Sequence, residues 1–167
     1  GMPNASRLIP IATVLAVGCG EDEPCGGGQP TRYRATFSAT WSASTHAADF
    51  PDNPHFSPLV GATHNETVSF WSIGAVPTAG IEEMAETGGT GPLCDEIEVA
   101  VDAGTACTII DGDGVSPSPG NVSVDFPIDL DHPFVTLTTM VAPSPDWFVG
   151  VDSLDLRDGN GTWTETQ

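Results

Sequence analysis

A strict alternation beginning at Tyr33 constrains this chain more than any other feature. In "RYRATFSATWS" the residues Tyr33, Ala35, Phe37, Ala39 and Trp41 fall on one side, and Arg34, Thr36, Ser38 and Thr40 on the other. Successive side chains of a strand point to opposite faces, so a period of two predicts a strand with one face in a core and one in water. The pattern returns in "NVSVDFPIDLD", where Val122, Val124, Phe126, Ile128 and Leu130 face one way and Ser123, Asp125, Asp129 and Asp131 the other. Pro127 stands on the polar side; having no N–H to donate, it places this run at a sheet edge or a bulge. Further strands are predicted over 67–73, 134–141, 147–152 and around Trp163.

Two stretches carry helical spacing instead. "PTAGIEEMAETGG" sets Ile81, Met84 and Ala85 on one face, with two glutamates in the first turn and Gly88 as a stop. "GPLCDEIEVAVDAG" has Pro92 suited to the first helical position, a stripe of Leu93, Ile97, Ala100 and Val101, and Gly104 at its end. Alternating strands, two short helices and many Gly, Pro and Asp turns predict a mainly β fold, an antiparallel β-sandwich with two short helical insertions. The 167 residues, 39% of them hydrophobic, suffice for one core.

That single domain is placed at residues 32–167. Ahead of it, "MPNASRLIPIATVLAVGC" has one arginine, an apolar stretch from Leu8 to Val17 and small residues before Cys19. The stretch is shorter than the ~20 apolar residues of a membrane span. It reads as a lipoprotein-type signal peptide over 1–18 with Cys19 as the lipidated residue, an ordinary secretory signal being the alternative. Residues 19–31, glycine-rich and acidic, read as a flexible tether. A secreted or surface-anchored protein is the expectation, touching membrane only through the lipid.

Charge narrows the partners. Four Lys plus Arg stand against 23 Asp plus Glu, a formal net charge of -19. Such a surface repels phosphate backbones and anionic headgroups, which excludes nucleic acid as a partner. It suits divalent cations or a basic partner. Among chemical motifs there is no phosphate-binding glycine loop with lysine, no Cys-x-x-Cys pair and no Gly-x-Ser-x-Gly elbow. His46, His55 and His64 cluster in "THAADFPDNPHFSPLVGATHN", and their convergence on one point would support a metal-dependent enzyme. "IDGDGVSPSPG" and "DLRDGNGTW" set Asp and Asn among glycines, as Ca²⁺ loops do, but Asp-Gly is also a turn dipeptide and neither completes an EF-hand. Cys94 and Cys107 are predicted to form a disulfide if the chain reverses at Gly104 and runs back along the second helix.

The stretch "VAPSPDWFVGVDSLDL" interrupts a strand with Pro143 and Pro145, which fix φ and force a turn. Asp146 then either caps that turn or offers a rigid carboxylate to a cation, with Trp147 supporting it from the core. Together with "YRATFSATWSASTHAADFP", "HFSPLVGATHN", "FW" and "AETG", in that order, it resembles the spondin domain family, the amino-terminal domain of F-spondin and mindin. The resemblance runs from Tyr33 to Trp163. It implies an extracellular, calcium-binding β-sandwich similar in topology to C2 domains, used in adhesion to a cell-surface or matrix protein or glycan. It also implies that Asp146 is a Ca²⁺ ligand.

Two departures from that family stand out. Its other acidic ligands sit in an Asp-Ala-Gly-Thr-Asp segment after the tryptophan matching Trp163, and no such segment follows here. Either the chain is truncated or shortened, or Asp152, Asp155 or Asp158 compensates beside Asp146 in the Ca²⁺ site. Arg157 stands where animal members have a cysteine paired to one near the first strand, which leaves Cys25 without that partner. The expected function is a non-catalytic binding module tuned by calcium; the alternative is a metal-dependent enzyme using the loop histidines and aspartates.

Overall fold

The computed structural model describes residues 25–26 and 29–165. The segment read as a signal peptide, and Cys19 with it, lies outside them. The alternating run forms β1 (Thr31–Ala39), whose burial alternates along its length, and it pairs antiparallel with β5 (Gly120–Ile128). These two strands make a separate ribbon, so Pro127 does sit on an edge strand, opposite Arg32.

The second sheet is built from β2 (His55–Phe56), β3 (Val60–His64), β4 (Ala106–Asp111), β6 (Phe134–Ala142) and β7 (Phe148–Asp155). All its pairings are antiparallel, with β3 between β4 and β6, and β7 on the far side of β6. Residues 67–73, expected as a strand, form turn and loop; Phe70 and Trp71 there serve the core from irregular backbone. Trp163 contributes only an isolated bridge to Arg157.

Both helices form as expected, α1 over Ala79–Thr87 and α2 over Gly91–Asp102. Thr78 caps the first through Ile81 N–H, and Gly88 ends it in the left-handed conformation (φ 76°) that a residue without Cβ adopts at no steric cost. The helices do more than interrupt the sandwich: they make a third layer on the outer face of the five-stranded sheet. Val60, Ala62, Ala106 and Met140 of that sheet pack there against Ile81, Met84, Leu93 and Ile97. On its inner face, Leu59, Ile110, Val135, Leu137 and Leu156 meet Phe126 and Ile128 of the ribbon. The ribbon does not close over the whole sheet. An apolar groove of about 590 Å³, lined by Tyr33, Phe37, Leu137, Val149, Val151 and Leu154 among others, stays open between β1 and β7.

The predicted Cys94–Cys107 disulfide is not formed. Cys107 is bonded to Cys25, with Cα atoms 5.4 Å apart, and Cys94 is disulfide-bonded elsewhere. The reason is the alternation of β4. Ala106 faces the helices and shares a cluster with Cys94, so its neighbour Cys107 points to the opposite face. Cys25, assigned to a loose tether, is thereby pinned to the second sheet.

Candidate functional site

Strand polarity sorts the candidate residues onto two ends of the sandwich. β6 ends at Ala142 and β7 returns from Phe148, so Asp146 lies in the turn at one end and Asp155 at the other. A strand rises about 3.3 Å per residue, which separates those two aspartates by more than about 20 Å. Asp152 lies between them within β7. Ca²⁺ gathers its oxygens at about 2.3–2.6 Å, so Asp146, Asp152 and Asp155 do not make one cage.

The acidic residues of the far end have local duties. Asp155 accepts from Arg157 Nε and Nη2, both at 2.9 Å, and that hydrogen bonding holds its carboxyl below the usual range. Asp158 Oδ1 accepts the backbone N–H groups of Thr162 (2.8 Å) and Asn160 (2.9 Å), which likewise depress its carboxyl. "DGNG" is therefore a turn. Asp152 accepts from the hydroxyl of Ser153 next to it.

The Pro-Ser-Pro-Asp-Trp turn is closed by a hydroxyl. Ser144 Oγ donates to Val141 O and accepts Trp147 N–H at 3.1 Å, while Val141 N–H donates to Trp147 O at 2.8 Å. Asp146 is exposed, and no described residue bonds its carboxylate. Trp147, expected beneath the turn, is instead 67% exposed. Phe148 takes the inward place, its ring edge-on to Trp71 at 5.2 Å, and alternation turns Trp147 outward. Toward the same end, Asp111 and Asp113 with Asp125 line an open pocket of about 360 Å³.

The three histidines do not converge. His55 is level with Ala142 and His64 with Phe134, at opposite ends of β6. His46 is exposed and bonded to Thr45 Oγ1 (3.0 Å), and His55 Nδ1 donates to Asn53 O (2.9 Å). His64 is buried. Its Nδ1–H donates to Asn65 O and its Nε2 accepts from Thr136 Oγ1, each at 2.8 Å, and burial lowers its pKa. The histidine metal centre is thus absent among the described residues.

Comparison with known proteins agrees with this architecture. The Spondin_N family model matches residues 31–167. The chain belongs to the spondin amino-terminal domain family. It is similar to Spondin-2 of Homo sapiens, 32% identical over 161 residues, covering 93% of this chain and 48% of that protein. Spondin-2 of Rattus norvegicus is 31% identical, with coverage of 97% and 52%. Spondin-1 of Gallus gallus is 32% identical over 141 residues, 80% of this chain and 17% of the relative. The chain thus spans about half the length of the Spondin-2 relatives and less of Spondin-1.

Opposite the Asp146 end, this spondin domain holds a cluster that the sequence pattern concealed. Asp129 and His132 are 7% and 6% exposed, against the Cys25–Cys107 bridge. Asp129 Oδ1 accepts the backbone N–H groups of His132 (2.8 Å) and Asp131 (3.0 Å) and meets His132 Nδ1 at 3.1 Å. His132 Nε2–H donates to Gly104 O at 3.2 Å. Alternation had put Asp129 outside and Leu130 inside; β5 ends at Ile128, the chain turns, and the two exchange places, Leu130 being 61% exposed. The signal that could have found the turn is Asp129 itself, an Asp followed by backbone donors two and three residues on.

Proposed function

We propose that this spondin domain is an extracellular, adhesion-type binding module without catalysis, linked to calcium through Asp146 and directed at a cell-surface or matrix protein or glycan. The observation that carries the reading is the Asp146 carboxylate, exposed on a turn fixed by Ser144 and two prolines and bonded by no described residue, while Asp155 and Asp158 are committed elsewhere. Family membership supports the extracellular setting, and the net charge of -19 favours a cation at the contact. One carboxylate with water supplies too few anionic ligands for tight binding, so this chain binds Ca²⁺ weakly, on the order of 10⁻⁴–10⁻³ M. Acidic residues from beyond Gln167 would complete the set.

Calorimetric Ca²⁺ titration of this chain, and of one extended past Gln167, tests the calcium link. Affinity should rise with the extension, and Asp146→Asn should remove the gain with its unfolding transition unchanged. An Asp146→Asn chain that loses that transition without calcium present would make Asp146 a structural cap and end the reading.

A further inference from the structure

We infer that Cys25, Cys107, Asp129 and His132 form a zinc site masked by the disulfide. Ligand atoms of Cys107, Asp129 and His132 all lie within 4.8 Å of one another, all three residues are buried, and Cys25 is joined to the first of them. Two sulfurs, one imidazole and one carboxylate are a complete tetrahedral set for Zn²⁺, whose ligands stand about 3.4–3.8 Å apart at Zn–N, Zn–O and Zn–S lengths of about 2.0–2.3 Å. The thiolates select a borderline-soft ion over Ca²⁺ or Mg²⁺.

Two details point to a cation rather than to a plain structural knot. Asp129 Oδ2 is buried with no hydrogen-bond partner among the described residues, an arrangement that costs free energy unless something positive meets it. A Cβ built on Gly26, next to Cys25, would stand 2.9 Å from that oxygen, so the free lone pairs face the segment that carries the sulfur. His132, for its part, is already held as a metal ligand is held. Its Nε2–H is tied to the carbonyl of Gly104, which orients the ring, and Nδ1 meets Asp129 Oδ1 at 3.1 Å, a contact that a zinc ion between the two atoms would replace.

While the bridge is closed its sulfurs have no anionic lone pair to give. Opening it takes two electrons and two protons. A phosphine supplies them with one water: the water's oxygen leaves as phosphine oxide and its two hydrogens go to the sulfurs. Zn²⁺ then displaces both thiol protons to solvent, and His132 Nδ1 and one oxygen of Asp129 fill the remaining positions. Metal in place of the bond would hold the Cys25 segment on β4 when the disulfide is reduced.

The test is titration of the phosphine-reduced chain with Zn²⁺ against a chromophoric chelator, with Co²⁺ as spectroscopic probe and circular dichroism to follow the fold. Asp129→Asn and His132→Gln keep all four cysteines, so they separate this site from binding by loose thiols. The expected result is one tight zinc per reduced chain, tetrahedral Co²⁺ bands with thiolate charge transfer, and affinity lower by more than about tenfold in each variant. The oxidised protein should show no such bands. If reduction unfolds the chain, zinc should restore the native dichroism. Equal affinity of reduced wild type and both variants, or no recovery of the fold with zinc, would overturn the inference.

Discussion

Removing the Cys25–Cys107 bridge by Cys25→Ala with Cys107→Ala should cost this domain a large share of its stability. The bridge closes a loop with a sequence separation of 82. In the chain-entropy account, cross-linking over such a loop removes about 15 cal/mol/K from the unfolded ensemble, about 4.5 kcal/mol at 25 °C. A bond between Cys94 and Cys107 would close a far shorter loop and contribute about 3 kcal/mol. For a domain of this size the full loss corresponds to a fall in Tm on the order of 15 °C. Reversible denaturant unfolding of the double variant against wild type, each with its thiols counted, measures the difference. Should the variant lose under about 1 kcal/mol while the wild type has no free Cys107 thiol, Cys25 is not its partner and the argument fails.

Gly61→Ala should destabilise by about 2–3 kcal/mol or more, because the new Cβ would fall 1.9 Å from Thr136 O and 2.8 Å from Leu137 Cα, backbone atoms of a central strand that cannot swing aside; chemical denaturation reads it. Ser144→Ala should cost about 1 kcal/mol and loosen the β6–β7 turn, seen as faster amide exchange at Trp147, whose N–H the hydroxyl receives. His64 gives a pH signature. Burial disfavours its charged form, so its folded pKa lies below the unfolded value of about 6.5. As pH falls through that value the unfolded chain takes up the proton first, and stability declines until the folded pKa is passed. Unfolding free energies measured from about pH 8 to 5 should show this decline, and His64→Gln should flatten it; an unchanged profile would mean that His64 stays solvated.

Much of this protein was legible in its sequence because one-sided burial writes itself as a period. β1 and β5 each bury one face against Leu137 and Leu156, so their apolar residues recur at every second position, and α1 and α2 lay one stripe on a sheet, so theirs recur at helical spacing. The turn at Asp146 was legible too, since prolines fix φ whatever surrounds them. β3 and β4 were not. Val60–His64 is buried at every position, between the ribbon on one side and the helices on the other, and a strand covered on both faces has no alternation to read. Pairing between distant segments was beyond the sequence for a related reason. Cys94 and Cys107 are neighbours along the chain, yet the face each takes is set by which layer packs against it, and that choice sent Cys107 to Cys25. The same holds for Asp129, whose inward turn depends on β5 stopping at Ile128. Local periodicity thus determined the elements and the aspartate-bearing turn; the stacking of three layers, which no local pattern encodes, decided that the predicted metal trio is spread from the β6–β7 turn to the far end of β7 and that sulfur, carboxylate and imidazole meet at the end away from Asp146.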